Sequence, residues 1–464
     1  MRKPSREELE KLDKDQLIDI ILELFDRIEA LEKKAARSAT PFSKGKGKPE
    51  KKKPGRQKGR GRFTRRMEPE VLPGDRVEII KVELEANACP DCGGTLERGT
   101  EVATIIDTPE RPVRIIKRFE VQTGKCPQCG KTVRGKHPGL AADQYGATAH
   151  RVGINVIARS LALHYYSGAT LRKSAEAISM LGGIPLTPSA LSQFTRKHCT
   201  GEGILAGIYQ GLRREIATAP VVNTDDTGWR TGGRASYLMG FFTPQLAVFQ
   251  VRERHRSEEV REMLGEDFDA ILGTDRGTSY EAKEFDGLRQ QKCLSHLSKN
   301  ASTVEEIKKG RAKDFTRELK RILRDAIKIW RQYKEGTIKE KEFRRQGEEI
   351  DVKLTWHLRN RRLKDPDNQR LLDGIGGQHD KARVLLFLEC PEVEPTNNRA
   401  ERGLRPAVIA RKVSQCSKNE TGERQFETLK SITATLKLRS RDVAQGLADL
   451  LRGEPMTSPS ASPS

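Results

Sequence analysis

The chain has 464 residues, room for roughly two to four domains of ~150 residues each, and 35% of them are hydrophobic. No apolar run reaches the ~18 residues of a membrane-spanning helix, and the start, Met1-Arg2-Lys3-Pro4-Ser5, lacks the apolar core of a secretory signal, so a cytosolic protein is expected. Lys and Arg number 86 against 65 Asp and Glu, a net charge of +21, which points to a polyanionic partner, DNA or RNA first, over a soluble protein that is merely basic.

Within residues 6–36, Leu17, Ile21, Leu24, Ile28 and Leu31 alternate spacings of four and three. That is the seam of a coiled coil. It predicts one helix that either pairs two protomers or lies on the body of its own chain. Residues 37–66 follow as a basic linker. The run 44–66 holds 12 Lys or Arg and one Glu, a net +11, interleaved with Gly and Pro. Such a tract repels itself and has little to bury, which predicts disorder in isolation. Near DNA, Lys51, Lys52, Lys53, Arg56, Lys58, Arg60 and Arg62 would release counterions and bind without sequence preference. The alternative is a solvated linker.

Residues 67–139 read as short-stranded, with 77–80 and 113–116 as candidate strands. Cys89-Pro90-Asp91-Cys92-Gly93 and Cys126-Pro127-Gln128-Cys129-Gly130 form two C-x-x-C knuckles with 33 residues between them. Four thiolates suit a tetrahedral Zn²⁺, as in a zinc ribbon, and the Gly after each second Cys permits the tight turn. All four ligand positions would be filled by protein, so the role is structural. Two redox pairs are the alternative, against which both pairs falling in one short region argues. The other cysteines, Cys199, Cys293, Cys390 and Cys416, stand alone.

Residues 140–218 read as helical: 149–166, 171–181, and a third helix opened by Thr187 as N-cap and Pro188 at the first helical position. Helix, Gly-containing turn, helix is the outline of a helix-turn-helix that binds DNA, and equally of any helical bundle. From 220 the pattern switches to strands at 221–225, 237–242, 246–251 and 271–275, with a helix at 257–264. Residues 302–388 turn helical, with an apolar stripe of Phe315, Leu319, Ile322, Ala326 and Trp330. Residues 397–451 are helical again, and the Ser- and Pro-rich tail 453–464 is predicted disordered. The whole reads as an α/β multidomain chain.

Asp225 and Asp226 end one apolar strand-like run and Asp275 ends another. Strands of one sheet can place such carboxylates a few ångströms apart, an unfavourable arrangement without a divalent cation between them. Two such ions are what phosphoryl transfer on DNA uses. Asp residues at exposed strand-end turns are the plain alternative. A third carboxylate, Glu401, falls one turn inside a helix capped by Thr396 or Asn397. Arg399, Arg402 and Arg405 share that helix, where Arg can grip phosphates, and Arg411-Lys412 extends the basic surface. A solvated mixed-charge helix fits the same pattern. Cys293 and His296 read as a core Cys with a His facing DNA or the site, ahead of metal ligation, and Trp229 as either a base-stacking or a core residue. His150, His164, His198, His255 and His357 suggest no role.

The segments Asn223-Thr224-Asp225-Asp226-Thr227-Gly228-Trp229, Gly273-Thr274-Asp275 and Thr396 to Arg402 resemble the three catalytic blocks of family-66 insertion-sequence transposases. The order of parts is similar too: N-terminal helix, Pro-Gly-Arg-Gln-Lys-Gly linker, four-Cys module, helical region, catalytic region. Asn397 to Pro406 is the most specific block. The resemblance covers about residues 10–452 and implies a DDE transposase with an RNase H-like core interrupted by a helical insertion at 302–388. It implies Asp225, Asp275 and Glu401 as ligands of Mg²⁺ or Mn²⁺. It further implies binding to terminal inverted repeats and target DNA, a homo-oligomer, accessory proteins of the element, and a place on the bacterial nucleoid. Where that family usually reads Asp-Glu-Thr, this chain has Asp225-Asp226-Thr227. A catalytically inactive DNA-binding derivative and an RNase H-like nuclease of another type are the rival readings.

Overall fold

The computed structural model describes residues 70–71, 77–82, 88, 90–95, 104–108, 112–145, 150–359, 362–414 and 416–456. The chain divides into two units, 1–108 and 109–464. The helix expected at 6–36, the basic linker, Cys89 and the end of the tail lie outside the described residues. Residues 77–80 and 113–116, expected as strands, are in no strand. Their apolar side chains are exposed on both faces, 87% at Ile79 and 85% at Ile115, so no partner sheet buries either side.

In the second unit a small antiparallel hairpin pairs β1 (Thr123–Lys125) with β2 (Thr132–Arg134). Between them the second Cys knuckle makes a tight turn. Cys126 N–H donates to Lys131 O at 2.9 Å, Gly130 N–H donates to Cys126 O at 2.9 Å, and Gly130 takes φ +68°. Gly93 has the matching φ of +72° after the first knuckle. Glycine adopts this left-handed conformation without strain.

Helices follow: α1 (Ile154–Leu161), α2 (Leu171–Gly182), α3 (Pro188–Cys199) and α4 (Ile204–Ala217). The first starts later than its apolar pattern suggests, after Gly153, and runs on through a π turn, Ala162–Tyr166. The third begins as read from the sequence: Thr187 Oγ1 accepts from Ala190 N–H at 3.1 Å and Pro188 occupies the first position.

The sheet has five strands. β3 (Val221–Thr231), β4 (Arg234–Phe242) and β5 (Ala247–Arg252) form an antiparallel meander. After α5 (Ser257–Leu264), β6 (Ile271–Thr274) returns parallel to β3, and β7 (Gln290–Lys292) adds parallel to β6. The order across the sheet is β5-β4-β3-β6-β7. Then come α6 (Leu294–Glu306), α7 (Asp314–Lys334), α8 (Glu340–Leu358), α9 (Pro366–Asp380), the short α10 (Leu386–Glu389), α11 (Asn398–Ser414), α12 (Glu420–Leu438) and α13 (Val443–Leu451). Among the described residues no helix is long and apolar enough to cross a membrane.

Alternation along the strands sends side chains to two cores. Val222, Met239, Phe241 and Val248 pack with α1, α3, α4, α12 and α13, so the helices before the sheet share its core. Trp229, Leu238, Phe242 and Phe249 pack on the other face against Ala400, Leu404 and Ala407 of α11. A third core fills the helices between β7 and α11, where Phe315, Leu319, Ile322 and Ala326 are buried as their periodicity predicts.

The edge strand β5 is sealed by α12. Side chains one turn apart, Glu427, Ser431 and Thr435, accept hydrogen bonds from Val251, Phe249 and Ala247 N–H at 2.6, 2.9 and 3.1 Å. The helix thus replaces a missing strand and leaves no open ladder for another chain to join. On the far side Lys292, fully buried, reaches Glu281 at 2.6 Å, Gln290 at 2.8 Å and Thr274 Oγ1 at 3.1 Å. Its N–H donates to Arg383 O at 2.7 Å, which ties the segment between Asp380 and Leu386 to β7.

Candidate active site

β3 and β6 pair in parallel with Asn223 opposite Gly273. Two residues further along, the same register sets Asp225 on β3 opposite Asp275, just past the end of β6. The glycine is required: a Cβ on Gly273 would meet Asn223 Nδ2 at 2.4 Å. Asn223 therefore lies across the neighbouring strand, one pleat before the two aspartates. Asp275 is oriented by Gly277 N–H, which donates to its Oδ1 at 2.7 Å.

Glu401 arrives from 126 positions away in sequence, and one residue brings it. Asn397 is buried, 1% exposed. It accepts from Asn223 Nδ2 at 3.1 Å and donates through Nδ2 to Thr224 O at 2.7 Å. Its backbone N–H donates to Cys293 Sγ at 3.1 Å, and its carbonyl accepts from Glu401 N–H at 3.1 Å as the first turn of α11 closes. The side chain that would ordinarily cap the helix is spent on β3 instead. Close approach of α11 to the sheet needs two glycines: a Cβ on Gly403 would meet the Phe242 ring at 2.2 Å and one on Gly240 at 2.6 Å. Glu401 so faces the side of β3 that carries Asn223 and Asp225.

Pleat alternation puts Asp226 on the opposite face from Asp225. Its Oδ2 lies 3.3 Å from His255 Nδ1, and His255 stacks on Tyr237 at 3.9 Å between ring centres. An open cleft of about 550 Å³, lined by Tyr237, Arg254, His255 and Arg256, adjoins this pair.

Burial, then repulsion from Asp275, Asp226 and Glu401, outweighs a backbone hydrogen bond and pushes the Asp225 carboxyl up to about 7. Asp226 is also raised, by burial first and by Asp275, while His255 opposes the shift. These carboxylates crowd one another in partial desolvation, the condition under which a cation is the stabilising partner. Beside them, His296 Nδ1 lies 3.8 Å from Glu401 Oε1. Its attraction to the Cys293 thiol, ahead of Glu401 and Asp275, raises the imidazole to about 9. For Cys293, burial favours the neutral thiol, but the neighbouring His296 ring and the hydrogen bond from the Asn397 N–H prevail and hold it below the ordinary thiol range.

On α11, Arg402, Arg405 and Lys412 are exposed. Arg411 is engaged within the fold, donating to Thr227 Oγ1 at 3.1 Å and to Gly228 O. Arg399 pairs with Glu394 at 2.6 Å. Trp229 is a core residue, 3% exposed, with Nε1 donating to Ser417 Oγ at 3.1 Å. In the second knuckle the Cys126 thiol is lowered, chiefly by the backbone N–H of Cys129 and then that of Gln128. His255 and the two asparagines were not assigned from sequence. Asn397 stood in view as a cap candidate, whereas nothing local marks His255.

One solved structure the chain is similar to is the cryo-EM structure of the simian T-cell lymphotropic virus intasome in complex with PP2A regulatory subunit B56 gamma. The match has 11% identity and a TM-score of 0.15, over 34% of this chain and 66% of that one, just under two thirds of its length. No curated protein matches the sequence. The family model described as Transposase IS66 family matches residues 150–425, which takes in β3, β6, α11 and every carboxylate of the cluster. The chain belongs to the IS66 transposase family.

Proposed function

We propose that the protein is a DDE transposase that cleaves and joins DNA strands with Asp225, Asp275 and Glu401 as the ligands of Mg²⁺ or Mn²⁺. The observation that carries this is the convergence on one side of β3: two aspartates set by strand register, and a glutamate tied in through Asn397. An all-oxygen carboxylate set fits hard divalent ions, and the repulsion of Asp225 by Asp275 and Glu401 is what a divalent cation would offset. When bound, such ions supply an activated water and stabilise charge on the attacking and leaving oxygens of an in-line displacement. Within that scheme Asp275 is held by Gly277 N–H, Glu401 is fixed by the Asn397 clamp, and Arg402, Arg405 and Lys412 offer cations to the phosphate backbone. No protein side chain need bond covalently to DNA. A meander continued by two parallel strands, β5-β4-β3-β6-β7, supports an RNase H-like core with 302–388 as its helical insertion.

The rest of the reading extends to the flanking parts. Cys89, Cys92, Cys126 and Cys129 hold a structural Zn²⁺ in the 67–139 module, and the left-handed Gly93 and Gly130 support the knuckles. That module and the helices of 140–218 recognise terminal inverted repeats. The 6–36 helix pairs protomers, one per element end, and the basic linker grips DNA. Proteins of the same element assist.

The test is cleavage of element-end DNA by purified full-length protein. Cleavage with Mg²⁺ or Mn²⁺ is expected, falling at least ~10³-fold in Asp275→Asn while DNA binding survives. Cleavage without a divalent ion, or undiminished in that variant, removes the reading. Binding without any cleavage favours an inactive DNA-binding derivative, and cleavage without strand transfer favours a nuclease of another type.

A further inference from the structure

Beside the carboxylate pair on the sheet, a second ligand set of different chemistry converges. Cys293 lies between β7 and α6, His296 sits three residues on in the first turn of α6, and Glu401 lies in the first turn of α11. One ligand atom of each falls within 4.8 Å of the others. They are the one such His/Cys/carboxylate group found among the described residues. The arrangement is rigidly held. Leu294 N–H donates to Pro395 O at 3.0 Å and Asn397 N–H to Cys293 Sγ at 3.1 Å, so the start of α6 and the start of α11 are pinned together. Cys293 is 1% exposed, while His296 and Glu401 open to solvent, with side chains 39% and 45% exposed. An ion could therefore enter from the solvent side. His296 Nδ1 is a buried atom with no hydrogen bond of ordinary geometry, aimed into this space.

We infer that Cys293, His296 and Glu401 form a site for a thiophilic divalent cation of the Zn²⁺ class, and that occupying it inhibits strand cleavage. Thiolate, imidazole and carboxylate are zinc's ligands, and three of them leave a fourth position for water. Mg²⁺ takes oxygen ligands and disfavours the sulfur. The thiol gives up its proton to solvent on binding, and Asn397 N–H remains as its second-sphere donor. The inhibitory half rests on Glu401 being a ligand of the reaction's metals, since a carboxylate drawn to zinc is withdrawn from them. The binding half does not depend on that reading.

The test uses full-length protein, dialysed against dilute ZnCl₂ and then metal-free buffer, with zinc counted per chain. Wild type should carry one equivalent more than Cys293→Ser and His296→Gln, whatever the knuckle cysteines hold. Serine keeps an acceptor for Asn397 N–H, so that variant tests the ligand rather than the fold. Zinc-edge X-ray absorption of the wild type should require a mixed sulfur, nitrogen and oxygen shell for the extra equivalent, a readout free of any variant's folding. Micromolar Zn²⁺ added to Mg²⁺-supported cleavage should inhibit wild type at least ~10-fold more strongly than the Cys293→Ser protein. Equal zinc content in all three proteins, or a shell of four sulfurs alone, overturns the site. An extra equivalent with equal inhibition overturns the regulatory half. Wild type that takes the extra zinc yet never cleaves leaves the site standing and rejects the catalytic reading instead.

Discussion

The charge on Asp225 opposes folding once pH rises above ~4, where the unfolded carboxyl ionises more readily than the folded one. The residue is buried on a strand with Asp275, Asp226 and Glu401 repelling its charge. Asp225→Asn removes the charge and keeps the shape. The variant should therefore melt higher than wild type in EDTA at pH 8, on the order of 1 °C for a gain near 1 kcal/mol, while losing cleavage. Mg²⁺ should raise the wild-type midpoint and leave the variant's nearly unchanged, which differential scanning calorimetry would read. Lys430 presents the opposite case, a buried base. It is 4% exposed on α12, its Nζ donates to Tyr165 O at 3.1 Å, and burial lowers it to about 8. A base whose folded value lies below its unfolded value of ~10.4 leaves the unfolded chain holding more protons between those two points. Stability from this group is thus diminished below pH 8 and regained as pH rises from 8 towards 10. Lys430→Met should flatten that slope and stabilise at pH 7 by roughly 1 kcal/mol, the relief of the buried charge being partly offset because the carbonyl of Tyr165 then lacks its donor. Urea unfolding at pH 7 and pH 9.5 would measure both effects.

At the scale of elements, the start of α11 is hydrogen-bonded to β3 by one side chain, that of Asn397. Asn397→Ala removes the bonds to Asn223 and to Thr224 O and leaves those groups buried without partners. A loss of about 2–3 kcal/mol is expected, together with loss of cleavage and retention of DNA binding, as read by denaturation, gel cleavage and a mobility shift on one preparation. Much of this architecture was legible in the residues. The Thr187-Pro188 start, the strand run ending at Asp275, and the stripe from Phe315 to Ala326 each rest on local propensity or periodicity, and each holds, whereas the run expected to end at Asp225 continues to Thr231 and sets Asp225 and Asp226 mid-strand, because pairing with β4 extends it through polar residues. The cap of α11 was legible as a cap but not as a clamp, because its partners, Asn223 and Thr224, are over 170 residues away. Register is likewise a property of pairs: Gly273 looks like any strand glycine until Asn223 lies across it. The sealing of β5 was out of reach for the same reason. Glu427, Ser431 and Thr435 read as polar positions on a helix, yet they are buried hydrogen-bond partners of a strand edge. The expected strands at 77–80 and 113–116 failed because apolar β-branched runs signal a strand only where a second strand covers them.

Across the whole molecule, charge is distributed so that grip and chemistry are separable. The tract 44–66 carries 12 basic residues and one acidic, over half of the net +21 of the chain. By contrast, the carboxylate cluster is locally acidic, and the exposed cations that follow Glu401 on α11, Arg402, Arg405 and Lys412, are few. Affinity for duplex DNA should accordingly come mostly from the tract, and it should be electrostatic. Each phosphate neutralised on B-DNA contributes a slope of ≈ −0.9 to log K against log salt. If about half of the basic residues make contact, replacing all 12 by Ser should flatten the slope by roughly 5. It should also weaken binding to random-sequence duplex several hundred-fold near 0.1 M salt, as anisotropy titrations over a salt series would report. Cleavage at saturating DNA should persist in that variant, because the proposed metal ligands are untouched. A slope unchanged by the substitution would move the phosphate contacts onto the folded parts of the chain. The exposed face of α11 would then be the first surface to test, since there a backbone contact and the candidate metal ligand share one helix.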